Sequence, residues 1–177
     1  MSIPVGIFLE IPCADVVEMA SLAGWDFVVI DTEHGPIGSA QLPDLLRAAR
    51  YSLLPMEEYL RRPVRVVIQI ETAGALAEVD AIAGLAGVDE LFIGPYDLSQ
   101  ALGRPGDVMH ADVLGAGQRV IHAAHAAGIA VSAFANSGEA ADRWREMGVD
   151  RLYYSADVYL LAQAMRATRE QMRSFDA

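Results

Sequence analysis

The sequence predicts an α/β chain of repeated β-α units around a parallel sheet, and three observations carry that expectation. Short apolar runs alternate with longer segments of helical periodicity throughout the 177 residues. Hydrophobic residues make up 53% of the chain and charged residues 21%, enough for a sizeable core. Polar residues gather directly after the apolar runs, where parallel sheets carry functional loops, whether closed into a barrel or left open.

The elements follow in order. Val5–Ile11 reads as a strand and Ala14–Ala23 as a helix stopped by Gly24; Phe27–Ile30 and Ser39–Arg50 repeat the pattern. The rhythm then skips, because Tyr51–Pro63 (YSLLPMEEYLRRP) holds a charged, helix-like stretch and no β-like run. Val64–Ile70 is the next strand, and Ala73–Leu85 is a helix with Leu76, Val79, Ile82 and Ala83 at helical spacing. Leu91–Ile93, Ile129–Phe134 and Leu152–Tyr154 are the remaining strands, with helices His110–Ala127, Ser137–Met147 and Val158–Phe175. Val120–Gly138 lacks Asp, Glu, Lys and Arg, yet its histidines, Gly128, Ser132 and Asn136 make it helix, turn and buried strand rather than a membrane span. No repeat or linker interrupts the chain, so residues 1–177 are expected to form one domain.

Composition excludes several chemistries. All 13 basic residues are arginine, so no side-chain amine can form a Schiff base, and pyridoxal enzymes and lysine-type aldolases are excluded. Against 24 acidic residues this leaves a net charge of −11, which repels nucleic acid and anionic membrane and favours small-molecule or protein partners. Cys13, the single cysteine, can form neither an intrachain disulfide nor a multi-thiolate zinc site, and is expected to be a small buried residue. The opening Met1-Ser2-Ile3-Pro4 has no secretory character, and a cytoplasmic location is expected.

Gln69 and Glu71 alternate onto the same face of one strand end, and Asp97 follows the next strand. Neighbouring parallel strands lie ~4.8 Å apart, so Glu71 and Asp97 can reach one cation, and two carboxylates without a thiolate favour Mg²⁺ or Mn²⁺. In the alternative, Glu71 caps the following helix and Asp97 caps a turn at Leu98-Ser99. Asp31 and His34 are close enough for the carboxylate to orient the imidazole as a general base, or His34 is a helix-entry residue bonding backbone. Gly94 and Pro95 leave an open turn whose following N–H groups, Tyr96 among them, can hold a carboxylate, or the turn is purely structural. His110, His122 and His125 are expected to be solvated, and Tyr153, Tyr154 and Tyr159 to be packing residues.

Three blocks, IDTEHG at Ile30–Gly35, VIQIET at Val67–Thr72 and FIGPYDLSQALG at Phe92–Gly103, together resemble the HpcH/HpaI aldolase family, metal-dependent pyruvate aldolases related to citrate lyase β chains. The opening GIFLEIPCADVVEMASLAGWDFVVID and the closing YYSADVYLLAQAM are similar to the same family. The resemblance implies a TIM-barrel-like (β/α) fold and a divalent metal (Mg²⁺ or Mn²⁺, with Co²⁺ also compatible) ligated by Glu71 and Asp97. His34, oriented by Asp31, would be the base; Gln69 and the backbone at Gly94 and Tyr96 would contact the substrate. The implied reaction cleaves a 4-hydroxy-2-oxo acid to pyruvate and an aldehyde, or decarboxylates oxaloacetate, through a metal-stabilised enolate. The implied assembly is a homo-oligomer.

Family barrels run to ~250 residues, so about seventy residues are expected to be absent at Arg50–Tyr51, leaving six β-α units as a partial or tightened barrel. With them goes the family's pyruvate-binding arginine. Arg47, Arg50, Arg61, Arg62 and Arg65 lie nearby, and its role is carried onto none of them. The alternative function is a catalytically impaired homologue that serves as an oxo-acid-binding or assembly subunit.

Overall fold

The structure, a computed structural model, describes residues 3–53 and 65–173. Its residues cluster into two compact units, Val5–Arg62 with Ser155–Ala177, and Met1–Pro4 with Pro63–Tyr154.

The first unit contains β1 (Val5–Leu9), α1 (Ala14–Leu22), β2 (Phe27–Ile30) and α2 (Leu42–Leu53), together with the C-terminal helix Asp157–Arg173. β1 and β2 pair in parallel, with Gly6 opposite Phe27 and Leu9 opposite Ile30. Strand alternation sends Ile7 and Leu9 to one face, where they bury against Val17 and Ala20 of α1, Leu45 and Ala48 of α2, and Ile37. Complete burial of such an aliphatic side chain stabilises the fold by ~1.5–3 kcal/mol. On the opposite face the Phe27 ring fills the space a side chain at Gly6 would need, since a Cβ there would stand 2.1 Å from the ring. Gly24, at φ +86°, ends α1 in the left-handed conformation that glycine adopts at no steric cost.

The second unit holds β3 (Val67–Ile70), α3 (Ala73–Ala77), α4 (Val79–Ala83), β4 (Glu90–Ile93), α5 (Pro95–Ala101), α6 (Ala111–Ala127), β5 (Ala130–Ala135), α7 (Gly138–Met147) and the greater part of β6 (Arg151–Ala156). These strands are parallel in the order β3-β4-β5-β6, with Ile70 opposite Ile93, Ile93 opposite Ala133 and Ala135 opposite Tyr154. Leu91, Ile93, Val131 and Ala133, all fully buried, lie on one face of the strands, and α6 packs on β4 and β5. Register places Glu90 and Phe92 on the other face with Ser132, Phe134, Arg151 and Tyr153. There the Phe92 and Tyr153 rings meet edge to face at 4.7 Å. The buried Glu90 carboxylate accepts from Arg65 at 3.0 Å, Arg151 at 2.5 Å and the Tyr153 hydroxyl at 3.3 Å. Burial, then the charge of Glu90, pushes the Tyr153 phenol up to about 12.

All six expected strands are present, with ends shifted by up to a few residues. The expected helix Ala73–Leu85 is broken into α3 and α4 at Glu78 (φ −98°, ψ 12°), and the break turns Val79 and Ala83 into the core. The open turn expected after Gly94 is the short helix α5, started by Pro95 at its first position, where a missing N–H costs nothing. α2 begins later than expected and continues through Arg50 and Tyr51 to Leu53. Val64, Arg61, Arg62, the helix-like stretch before Pro63 and the end of the last helix at Phe175 lie outside the described residues. Cys13 is half-buried rather than buried, because it sits at the exposed entry to α1. Tyr159, expected to pack, is 63% exposed on the C-terminal helix, α8 (Asp157–Arg173).

Candidate functional site

Asp31 follows β2 with its side chain 8% exposed, and its carboxylate organises the loop that comes next. Its Oδ1 accepts the N–H groups of Glu33 at 2.8 Å and His34 at 3.0 Å, while Oδ2 lies 3.0 Å from His34 Nδ1. Burial would push this carboxyl up, but the backbone hydrogen bonds from His34 and Glu33, then the imidazole, outweigh it and hold Asp31 below the usual carboxylate range. An ionised Asp31 can only accept, so it keeps the proton of neutral His34 on Nδ1 and leaves Nε2 as the basic atom. The imidazole is 55% exposed and so open to solvent-borne substrate.

Two acids that sequence reasoning left without a role complete this unit's strand ends. Glu10 follows β1, where the expected strand Val5–Ile11 had absorbed it; its position at the end of an apolar run was the available signal. Asp157 opens α8, is buried, and accepts the N–H groups of Glu10 and Ile11, each at 2.9 Å, and its own Val158 at 2.8 Å. Just before it, Ser155 takes φ 61°, the one non-glycine residue at positive φ among the described residues.

In the other unit, Glu71 follows β3 and Gly94 follows β4, one rung beyond the pair Ile70 and Ile93. Gln69 Nε2 donates to Glu71 Oε2. A Cβ at Gly94 would stand 2.7 Å from Glu71 Oε2, 3.1 Å from Glu71 Cβ and 3.3 Å from Gln69 Nε2, so the Glu71 carboxylate occupies the space a side chain would take. Thr72, not Glu71, caps α3 by accepting from Ala75 N–H at 3.1 Å. Asp97 lies in the first turn of α5, exposed, and accepts from Gln100 at 3.1 Å instead of capping a turn at Leu98-Ser99. Ser99 fixes this segment, donating to Tyr96 O at 2.6 Å and accepting from Gly106 N–H at 3.0 Å. Tyr96 itself is 53% exposed. Beside it Val108, Phe134 and Trp144 line a largely apolar recess.

The capping alternatives for both carboxylates are therefore absent, and their oxygen donors suit a hard cation with positions left for water or substrate. Among the described residues no cluster of three or more His, Cys, Asp or Glu forms a ready cation cage. Of the arginines near the skipped segment, Arg47 pairs with Asp44 and Arg65 with Glu90. His110 accepts from Asp112 N–H at the start of α6, His125 meets Asp150 at 3.3 Å and His122 is exposed, so all three stand apart from these strand ends.

Comparison with known proteins gives this arrangement a lineage. Residues 55–164 match the profile of the HpcH/HpaI aldolase/citrate lyase family. The chain is 37% identical over 148 residues to a hydroxypyruvate/pyruvate aldolase of Paraburkholderia phytofirmans, covering 82% of this chain and 54% of that protein. It is 34% identical over 161 residues to a 2-keto-3-deoxy-L-rhamnonate aldolase of Klebsiella pneumoniae, covering 89% and 58%. The chain thus spans little more than half the length of these curated relatives. A crystal structure of an HpcH/HpaI aldolase/citrate lyase family protein from Burkholderia cenocepacia superposes with a TM-score of 0.86 at 27% identity, covering 97% of this chain and 95% of that one. The α/β fold, the strand-end acids and the extent of these matches agree: the chain belongs to the HpcH/HpaI aldolase/citrate lyase family, whose fold is TIM-barrel-like.

Proposed function

We propose that this chain is a carbon–carbon lyase that cleaves a 4-hydroxy-2-oxo acid to pyruvate and an aldehyde, with oxaloacetate decarboxylation as a related activity. The observation that carries the reading is the Asp31–His34 pair, an ordered dyad whose buried carboxylate is held ionised and whose imidazole is presented with a basic Nε2. Relatives named as aldolases of 2-oxo acids support the reaction class.

His34 takes the proton of the C4 hydroxyl, directly or through one water. The C3–C4 bond breaks, its electron pair stays with the pyruvate half, the C4 carbonyl leaves as the aldehyde, and a proton returned to C3 completes pyruvate. Glu71 and Asp97 would hold a divalent cation, Mg²⁺ or Mn²⁺ with Co²⁺ compatible, supplying Lewis-acid polarisation of the 2-oxo group. Gln69 orients Glu71 and contacts the substrate, and the backbone at Gly94 and Tyr96 receives its carboxylate.

The family's enolate-binding arginine has no counterpart assigned in this chain, and loss of one such donor costs ~2.7–4 kcal/mol, so we expect turnover about a hundred- to a thousand-fold below an intact site. The shortened chain is proposed to be one family domain joined at Arg50–Tyr51, and the unbroken course of α2 across those residues supports the join. Self-association through α8 is supported by its exposed Leu161, Met165 and Met172. A cytoplasmic location is part of this proposal; no helix among the described residues is long and apolar enough to cross a membrane.

Incubation with pyruvate and Mg²⁺ or Mn²⁺ in D₂O, followed by the methyl proton signal, tests the reaction. Metal-dependent exchange lost in both His34→Ala and Glu71→Gln is the expected result. Pyruvate binding without exchange would overturn the lyase and leave the oxo-acid-binding homologue.

A further inference from the structure

Glu10 stands after β1 as Asp31 stands after β2. The register ends with Leu9 opposite Ile30, and Asp31 N–H donates to Leu9 O at 2.9 Å, so the two acids lie one rung beyond the last pair. Gly6, Phe8 and Glu10 alternate onto the same face as Phe27, Val29 and Asp31. Asp157 grips the backbone at Glu10 and Ile11 through two hydrogen bonds of 2.9 Å. The loop that carries His34 rests directly on Glu10, because a Cβ at Gly35 would stand 3.0 Å from Glu10 O and 3.1 Å from its Cβ. Glu10 is thus held by register, by a buried carboxylate and by contact with the residue after His34.

We infer that Glu10 is a positioning residue that acts through His34: its negative charge joins that of Asp31 in favouring the imidazolium and so sets the pH at which the neutral base becomes available. This rests on the proposed role of His34 as the base. The charged groups beside His34 include Asp31 from its own loop and Glu10 from the end of β1; those facing Glu10 are Asp31, His34 and Asp157 of α8. Burial, then the charges of Asp31 and Asp157, push the Glu10 carboxyl up, and His34 draws it down. That last effect is reciprocal, since any interaction between two titrating groups acts equally on both.

The test is a proton NMR titration of the histidines in the full chain, with His34 identified as the signal missing from His34→Gln. Only four histidines are present, so the spectrum is tractable. In Glu10→Gln the His34 midpoint falls by about half a pH unit, the scale of one nearby charge at a half-exposed site. Glu10→Asp, which keeps the charge, leaves the midpoint closer to that of the parent. An unchanged midpoint in Glu10→Gln overturns the inference, as does an equal fall in both variants, which would mark a packing effect. The low-pH limb of pyruvate exchange moves down with the midpoint. A lowered midpoint in a protein without exchange upholds the Glu10–His34 coupling while removing the proposed reaction, so the two failures read differently.

Discussion

Glu71 and Gly94 occupy one space: the carboxylate of the first lies where the side chain of the second would be, 2.7 Å from the position of its absent Cβ. Gly94→Ala is therefore expected to push the far end of Glu71 aside while leaving the backbone in place. The measurable outcome is loss of most of the Mn²⁺- or Mg²⁺-induced rise in Tm and about a ten- to hundred-fold fall in exchange rate, with the metal-free Tm within about 2 °C of the parent. A large drop in metal-free Tm would show instead that Gly94 serves the fold.

Asp31→Asn keeps an acceptor for Glu33 and His34 N–H but loses the charge that selects the Nδ1–H tautomer. Exchange is expected to fall about a hundred-fold or more, and His34 to titrate at lower pH, read from the same NMR signal.

Stability against pH should separate Asp31 from Glu10. The Asp31 carboxyl is held down in the fold, so the stability it contributes is present above its unfolded value near 3.9 and lost as the pH falls through the lower folded value. Glu10 is pushed up, so its ionisation opposes folding once the pH rises past its unfolded value and through the folded one. Glu10→Gln is thus expected to raise the urea midpoint at pH 7 and to have little effect near pH 3, where the acid is neutral in both states. Destabilisation at pH 7 would contradict this.

Ser155 pays for a left-handed backbone, φ 61°, in a buried position near the end of β6, two residues before Asp157. Ser155→Gly should remove about 1–2 kcal/mol of steric cost and return part of it as chain entropy, a net gain of about 0.5–1 kcal/mol in urea unfolding.

Glu90 is 2% exposed on its side chain and meets Arg65, Arg151 and Tyr153. Glu90→Gln leaves the more buried Arg151 without its counter-charge and is expected to cost about 3 kcal/mol, measured by urea unfolding, with the strand-end chemistry intact once folded.

Much of this architecture was legible along the chain. Apolar runs at strand length, stripes at helical spacing and glycines such as Gly24 are local signals, each complete within a few residues, and the six strands and the Asp31–His34 spacing followed from them. Where local signals compete, reading failed: Pro95 after Gly94 looked like an open turn because α5 is too short to show a period, and Glu78 gave no warning of the break between α3 and α4. Neighbours distant in sequence were a different matter. That Thr72 rather than Glu71 caps α3, that Glu71 lies over Gly94, that Glu10 stands beside Asp31, and that Arg65 and Arg151 converge on Glu90 all depend on which strands pair and in what register. Register is set by the packing of whole faces, a sum over many residues that no short stretch contains.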